Sequence, residues 1–262
     1  DFRPYEVVGT DSNAAVRKKM GNFEFGAMTP MKYIKWIYLP MIRPTISLPS
    51  VEVVVMTFDN PDRIPAIREL EFYKNKRYKE HIPGEKIPKG KVVGPDNLLY
   101  SPDELPISDE QVDEIDWNYL PGTMMQCLNN KKGKYRIMND VFIECLIECL
   151  VPDKQYIFVT SDGTHIYYPG RATPLLDEIT YGEGDLACIQ ACAQLSKRFG
   201  FNPSLMITND WDLIFPSMLM SELYNMDIDI QTGEAYTSLD EPDDSFVYDR
   251  KRVELTKRCA ID

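Results

Sequence analysis

Six acidic side chains stand at the ends of predicted strands or the starts of predicted helices. They are Asp11, Asp59, Glu183, Asp185, Asp210 and Asp212. If they meet at one sheet edge, their like charges repel by several kcal/mol unless cations compensate them. Mg²⁺ prefers oxygen ligands and keeps several waters, so scattered carboxylates without histidine suit Mg²⁺ or Mn²⁺. Each acidic pair alone has a simpler interpretation, because acidic residues near a helix start complement the helix dipole or cap the helix.

Apolar, β-rich runs must position these carboxylates. The first predicts a strand at about residues 5–9, delivering Asp11, and a second runs from Val53 to Phe58 into Asp59, where Pro61 prevents its continuation. A third, Leu205–Thr208, leads to the Asp210 pair. A fourth ends near Asp162, whose Asp-Gly sequence before THIYY predicts a hairpin turn and a mostly structural role.

Helical patterns fall between these strands, at 62–80, 138–150 and 183–199, with Gly200 as a natural C-cap of the last. The apolar positions predicted for the buried face of that last helix are Leu186, Ile189, Ala193, Leu195 and Phe199. Strands that alternate with helices predict an α/β fold with a mostly parallel central sheet flanked by helices on both faces. In such sheets ligands bind at the carboxyl ends of the strands. The length of 262 residues favours one such domain with large insertions.

The charge is distributed unevenly along the chain. The 41 acids and 29 bases give a net charge of −12, which excludes a uniformly basic DNA-coating protein. Residues 101–119 and 222–249 hold seven and nine acids without a base, and their composition is typical of solvated loops. Residues 63–91 hold nine bases against four acids, so the net charge says little about the surface there.

Cysteine and histidine argue against a zinc site. The six cysteines form no CxxC pair, and two sets spaced four apart lie in apolar helical patterns typical of buried thiols. The two histidines are far apart, and His165 is expected to be a half-buried sheet residue. No apolar run is long enough for a membrane helix, and the chain start is not typical of a signal peptide. We therefore expect an intracellular protein, nuclear or cytoplasmic, in a reducing compartment and without a membrane partner.

The order of the acidic motifs resembles that of the flap endonuclease/XPG-type nucleases, a branch of the PIN-like fold. Asp11 in GTDSN matches the aspartate after the family's first strand, and Asp59 in TFDNPDR matches the one that opens a basic helix. Glu183 and Asp185 in GEGDLACIQA match the acidic pair at a helix start. The Asp-x-Asp pair after the next strand is matched by Asp210 and Asp212 in TNDWDL. The resemblance covers roughly residues 5–220.

This resemblance implies a PIN-like nuclease domain over residues 1–220, with 82–137 as an arch-like insertion and 221–262 as an acidic C-terminal extension. It implies two Mg²⁺ or Mn²⁺ ions that position a water for in-line attack on a phosphodiester. The basic helix would steer nucleic acid, with Arg68, Lys74 and Arg77 as the expected contacts. Asp227 and Asp229 are candidates for the family's seventh aspartate. The family's duplex-gripping module has no visible counterpart, which leaves room for a protein partner.

Three interpretations stay open at this point. The first is a divalent-metal-dependent nuclease acting on DNA or RNA, since the sequence does not decide between them. The second is a catalytically silent PIN-like subunit that serves as a binding or scaffold module in a larger nucleic-acid-processing complex. The third is a different Mg²⁺ phosphohydrolase that acts on nucleotides, although the common P-loop motif is absent.

Overall fold

The computed structural model describes residues 5–13, 28–59, 79–180, 182–201, 204–207, 222, 228–231, 235–236 and 249–250. The helix predicted at 62–80 therefore lies almost wholly outside the described residues. The strands are β1 (Val7–Asp11), β2 (Val53–Thr57), β3 (Val92–Val93), β4 (Leu99–Tyr100), β5 (Gln155–Val159), β6 (His165–Tyr168), β7 (Ser204–Ile207), β8 (Ile228–Gln231), β9 (Ala235–Tyr236) and β10 (Asp249–Arg250).

A mixed, mostly parallel six-stranded sheet in the order β6–β5–β2–β1–β7–β8 forms the centre of the fold. All neighbouring pairs are parallel except β5 and β6, which are antiparallel. The chain fills one side of β1 before it crosses to β7 on the other, so the strand order reverses beside β1. Such a switch point is where open α/β sheets form crevices at their carboxyl ends. Asp11 is the last residue of β1 and stands at this point.

The four strand predictions are confirmed to within three residues, the largest difference being β5, which ends at Val159 instead of near Asp162. The predicted hairpin between β5 and β6 is confirmed as well. Thr160 N–H donates to Thr164 O at 3.0 Å, and Gly163 takes a positive φ of 87° that suits glycine. Strand β8, from the segment predicted as an acidic C-terminal extension, pairs in parallel with β7 at the edge of the sheet. The pairs β3–β4 and β9–β10 form separate two-stranded antiparallel ribbons.

The helices are α1 (Pro30–Tyr33), α2 (Leu39–Ile46), α3 (Asp109–Asp113), α4 (Met124–Asn129), α5 (Lys131–Tyr135), α6 (Ile143–Cys149) and α7 (Gly184–Phe199). A π-helical turn at Ile34–Tyr38 joins α1 to α2, and a second at Arg136–Phe142 joins α5 to α6. In the first, Pro40 lacks a backbone N–H, and the Leu39 N–H bonds five residues back to Ile34 O. The apolar helix predicted at 138–150 is thus confirmed as the end of a longer helical run.

Two apolar layers cover the two faces of the sheet, as alternation along the strands requires. One face presents Val8, Val54, Met56, Tyr156 and Phe158 to the helices of residues 30–46 and 124–149. The other presents Val7, Val53, Val55, Ile157 and Val159 to α7 and to the segment around Leu175. The predicted arch-like insertion contributes to the first layer, because Leu120, Met124, Cys127 and Leu128 are buried there.

Helix α7 begins and ends where the sequence indicates. Gly200 closes it in the left-handed conformation at φ 74°. Ile189, Ala193 and Leu195 are buried as predicted, but Phe199 is 48% exposed and its ring lies 5.6 Å from that of Phe201. Periodicity identifies the apolar face of a helix but not where the layer beneath it ends, and Phe199 is the last residue of α7. Among the described residues, no helix has the length and apolar character needed to cross a membrane.

Candidate functional site

The first residue of α7 docks directly on the carboxyl ends of β1 and β2. Gly184 N–H donates to Asp59 Oδ1 at 2.9 Å. Thr57 Oγ1 donates to Gly184 O at 2.5 Å and lies 3.4 Å from Thr10 O. These bonds join the start of the helix to the end of β2, and the Thr57 hydroxyl links it further to Thr10 of β1.

Glycine is required at position 184 by close approach. A Cβ built there would lie 2.7 Å from Asp11 Oδ1 and 3.2 Å from Asp59 Oδ1. Both carboxylate oxygens therefore lie within 3.2 Å of one point above the helix start. A methyl group at that point would push against two charged oxygens at once.

Two of the six predicted carboxylates, Asp11 and Asp59, approach the same point here, and Glu183 and Asp185 are the chain neighbours of Gly184. Asp11 and Asp59 come from the two strand ends. Glu183 and Asp185 are only 3% and 6% exposed, and Asp11 is 8% exposed. The Asn13 N–H donates to Asp11 Oδ1 at 3.0 Å and the Leu186 N–H to Asp185 Oδ1 at 2.7 Å. This burial is unusual for carboxylates, which are mostly exposed in proteins.

A lysine that the sequence reasoning missed completes the cluster. Lys134 Nζ lies 2.7 Å from Asp59 Oδ2, and both side chains are largely shielded from solvent. Burial raises the pKa of Asp59, but the Lys134 charge, its hydrogen bond and the Gly184 N–H outweigh it and lower the pKa to about 2. The signal in the sequence is the run KKGKYR at 131–136, with four bases in six residues.

Beside this ion pair lies a small, partly open cavity of about 80 Å³. It has room for a few water molecules. Two lysines and two aspartates contribute to its lining, which consists of Asn13, Asp59, Lys131, Lys134, Tyr135, Met138, Ser161 and Asp162. The cavity thus joins the ends of β1 and β2 to the turn after β5.

The helical run that carries Lys134 is fixed to the end of β5 by one side chain. Asn139 accepts a hydrogen bond from Ser161 N–H at 2.9 Å and also contacts Ser161 Oγ. Asn139 Nδ2 donates to Tyr135 O at 3.1 Å, inside the π-helical turn. Because Asn139 and Ser161 are both buried, this link holds the lysines against the cavity.

Asp162 serves the turn, as predicted, and also faces the cavity. Its Oδ1 accepts from Thr164 N–H at 2.9 Å and from the Thr164 hydroxyl at 2.8 Å. Burial and the negative charges of Asp162 and Asp140 raise the pKa of Tyr135. Asp162 therefore contributes to the electrostatics of the cavity as well as to the hairpin.

Among the described residues, Asp11 and Asp59 are the ones whose carboxylate oxygens could contribute to holding a hard divalent cation at this edge. Their oxygens converge, and carboxylates are the ligands that Mg²⁺ and Mn²⁺ prefer. Within the part of the chain that the structure describes, no three His, Cys, Asp or Glu side chains are grouped so that they could hold a metal ion. Both oxygens of Asp59 already accept from protein donors.

The remaining predicted site residues fall elsewhere. Asp210, Asp212, Arg68, Lys74, Arg77 and Asp227 lie outside the described residues, and their roles stay predictions. Asp229 lies in β8, opposite Leu205 of β7. His165 is half-buried in β6, as predicted, and burial lowers its pKa. Among the cysteines, Cys127, Cys188 and Cys192 are buried, whereas Cys145 and Cys149 are only partly buried.

Fold and site together define the class: an α/β protein with a mixed, mostly parallel sheet, in which Asp11 and Asp59 approach each other at the carboxyl ends of β1 and β2. Comparisons of the chain with protein-family models, with curated proteins and with solved structures find no match.

Proposed function

We propose that the protein is a divalent-metal-dependent nuclease with a PIN-like fold, similar to the flap endonuclease/XPG-type enzymes, that hydrolyses phosphodiester bonds of DNA or RNA. The observation that carries this proposal is the meeting of Asp11 and Asp59 over Gly184, with Glu183 and Asp185 buried on either side. Buried like charges at a strand-end crevice are costly, and a protein keeps them where they bind cations or substrate.

In this proposal the chain supplies ligands, orientation and charge. Asp11, Asp59, Glu183 and Asp185, with Asp210 and Asp212, are the ligands. When bound, two divalent ions provide an activated water and stabilise the leaving oxygen. The hydrogen bond from Gly184 fixes the Asp59 carboxylate, and the buried start of α7 keeps bulk water from the acidic cluster.

Nucleic acid would approach from the side of the cavity, where the exposed Lys131 offers positive charge. Arg68, Lys74 and Arg77 remain the proposed contacts on the preceding basic segment. Loss of one phosphate contact lowers the slope of log affinity against log salt by about 0.9 on duplex DNA. The triple alanine variant at these three positions should therefore bind nucleic acid more weakly and with a flatter salt dependence.

A second candidate function is a catalytically silent PIN-like binding subunit of a nucleic-acid-processing complex. The observation that favours it is the Lys134–Asp59 ion pair, since an internal ammonium already neutralises a carboxylate that a metal would need. In such a protein the lysine substitutes for the metal permanently. The two candidates differ in whether divalent ions bind at all.

Both are tested by incubating labelled single-stranded, duplex and 5′-flap DNA, and matching RNA, with the protein in Mg²⁺, Mn²⁺ or EDTA. A nuclease cleaves at least one substrate with metal and none in EDTA. Asp11→Asn should abolish that cleavage, whereas Glu52→Gln, an exposed carboxylate at the opposite end of β2, should not. Binding without cleavage in every buffer would select the silent subunit.

A further inference from the structure

We propose that Lys134 is an internal counter-ion that holds Asp59 in the metal-free protein and leaves it when a divalent cation binds. This inference rests on the proposed metal-dependent function. It concerns how the charge of Asp59 is balanced before a metal ion binds. Lys134 and the metal ion would then compete for the same carboxylate.

The inference starts from the Asp59 carboxylate, whose two oxygens both accept hydrogen bonds from other groups of the protein. Its Oδ1 accepts from Gly184 N–H at 2.9 Å, and its Oδ2 accepts from Lys134 Nζ at 2.7 Å. The Gly184 bond is part of the backbone docking of α7 and cannot be released without moving the helix. The Lys134 ammonium stands at the end of a long, flexible side chain. A cation that binds at Oδ2 would therefore displace the ammonium and leave the Gly184 bond in place.

Electrostatics makes the competition direct. An ammonium in contact with Asp59 and a divalent cation on the same carboxylate would repel each other, and shielding from solvent weakens the screening of that repulsion. The displaced ammonium has a destination, because Lys134 lines the same cavity as Asp162, which provides a second carboxylate there.

The neighbouring lysine provides a matched control. Lys132 Nζ lies 2.6 Å from Asp113 Oδ2, a bond as short as that of Lys134, but both side chains of this pair are well exposed. Lys132 and Lys134 lie on the same short helix, α5. Replacing either removes one positive charge from the same segment, and only Lys134 touches a predicted metal ligand.

The first experiment measures Mg²⁺ and Mn²⁺ binding by calorimetry for the parent and for Lys134→Met, Lys134→Gln and Lys132→Met. Without the competing ammonium, Lys134→Met and Lys134→Gln should bind the ions about tenfold more tightly than the parent. Lys132→Met should bind like the parent. The glutamine variant keeps a hydrogen-bond donor and serves if the methionine variant does not fold. Unchanged or weaker binding in the Lys134 variants would overturn the inference.

The second experiment uses the unaltered protein. An amine-reactive acylating reagent at limiting concentration, followed by peptide mass spectrometry, reports how accessible each ammonium is. Saturating Mg²⁺ should raise the labelling rate of Lys134 several-fold and leave that of Lys132 unchanged. Equal rates at Lys134 with and without the ion would contradict its release.

The outcomes separate the inference from the function on which it rests. A parent that binds no divalent ion, with Lys134 variants that also bind none, refutes the metal-dependent function. A parent that binds metal, with Lys134 variants that bind no more tightly, leaves the metal-dependent function standing and refutes the exchange.

Discussion

The lysines at the two ends of the parallel strands have different kinds of partner: backbone carbonyls at the amino end and a carboxylate at the carboxyl end. At the amino end an open groove of about 670 Å³ runs past Pro49, Pro152 and Pro169. There Lys154 Nζ donates to Leu48 O at 2.9 Å and to Val51 O at 2.7 Å. At the carboxyl end the charged groups are buried or partly buried, and two of them pair with each other: the Lys134 ammonium lies against Asp59. The Asp11 and Asp59 carboxylates approach the start of α7 there.

The difference shows which charges are structural. A lysine that satisfies backbone carbonyls fastens a loop, and no ligand can replace it there without unfolding that loop. A lysine whose ammonium contacts a carboxylate can be replaced at that carboxylate by another cation. We therefore expect substitutions at the amino end to change stability alone, and those at the carboxyl end to change stability, metal response and activity together.

The largest expected effect is on the nuclease activity that we propose. Asp11→Asn keeps the side-chain shape and removes one charge from the cluster, so cleavage should fall by about 10³-fold or more, equivalent to about 4 kcal/mol of barrier. Single-turnover rates in Mg²⁺ would measure it. A variant that cleaves at the parental rate would remove Asp11 from the site, whatever its burial.

Gly184→Ala tests the close packing of the same edge. The added Cβ meets the Asp11 and Asp59 oxygens, so unfolding should become easier by about 2 to 3 kcal/mol, as overpacking usually costs. Gly170→Ala, near the amino-end groove, has open space around its Cβ and should change little. Urea unfolding of both variants measures the contrast. An unaffected Gly184→Ala would mean that the cluster is loosely held.

The low pKa of Asp59 predicts how acid acts on the metal-free protein. Because the folded pKa of about 2 lies below the ordinary 3.8, the ionised carboxylate stabilises the fold above about pH 5. That contribution, about 2 kcal/mol, is lost as the pH falls from about 4 through 2. The deficit of Asp59→Asn relative to the parent in EDTA should therefore shrink over this range.

Asp113→Asn is the control for this pH series, since its ion pair is exposed and worth little. Its effect on the free energy of unfolding should be small at every pH. A deficit of Asp59→Asn that stays constant from pH 6 to pH 2 would assign the Asp59 effect to packing alone.

The smallest expected effect lies at the amino end. Lys154→Met removes two hydrogen bonds to carbonyls and should cost about 1 kcal/mol or slightly more. Since no metal ligand is involved, the loss should be equal in EDTA and in millimolar Mg²⁺. Thermal melts in both buffers measure this loss of stability. A loss that Mg²⁺ reverses would contradict the expectation that the amino end does not respond to metal.

The elements that local pattern controls were predictable. β-rich runs and an Asp-Gly turn predict β1, β2, β5, β6 and β7, and Gly200 predicts the end of α7, because strand alternation, turn chemistry and capping act over a few residues. The approach of Asp11 and Asp59 was also predictable, since parallel strands end at one edge. The exposure of Phe199 and the pairing of β8 with the sheet were not predictable, because both depend on which elements pack beside them in the tertiary structure.

By itself, the sequence determined the residue types at the strand ends, an acidic set suited to hard cations, and the helix start that flanks them. Only the tertiary structure decided that a lysine 75 positions further along the chain neutralises Asp59. No local pattern carries that pairing, because it arises where a π-helical turn anchored by Asn139 meets the end of β5. Long-range packing therefore determined that Lys134 is the counter-ion of Asp59, since a shielded carboxylate needs a cation nearby and only the tertiary structure decides which one it contacts.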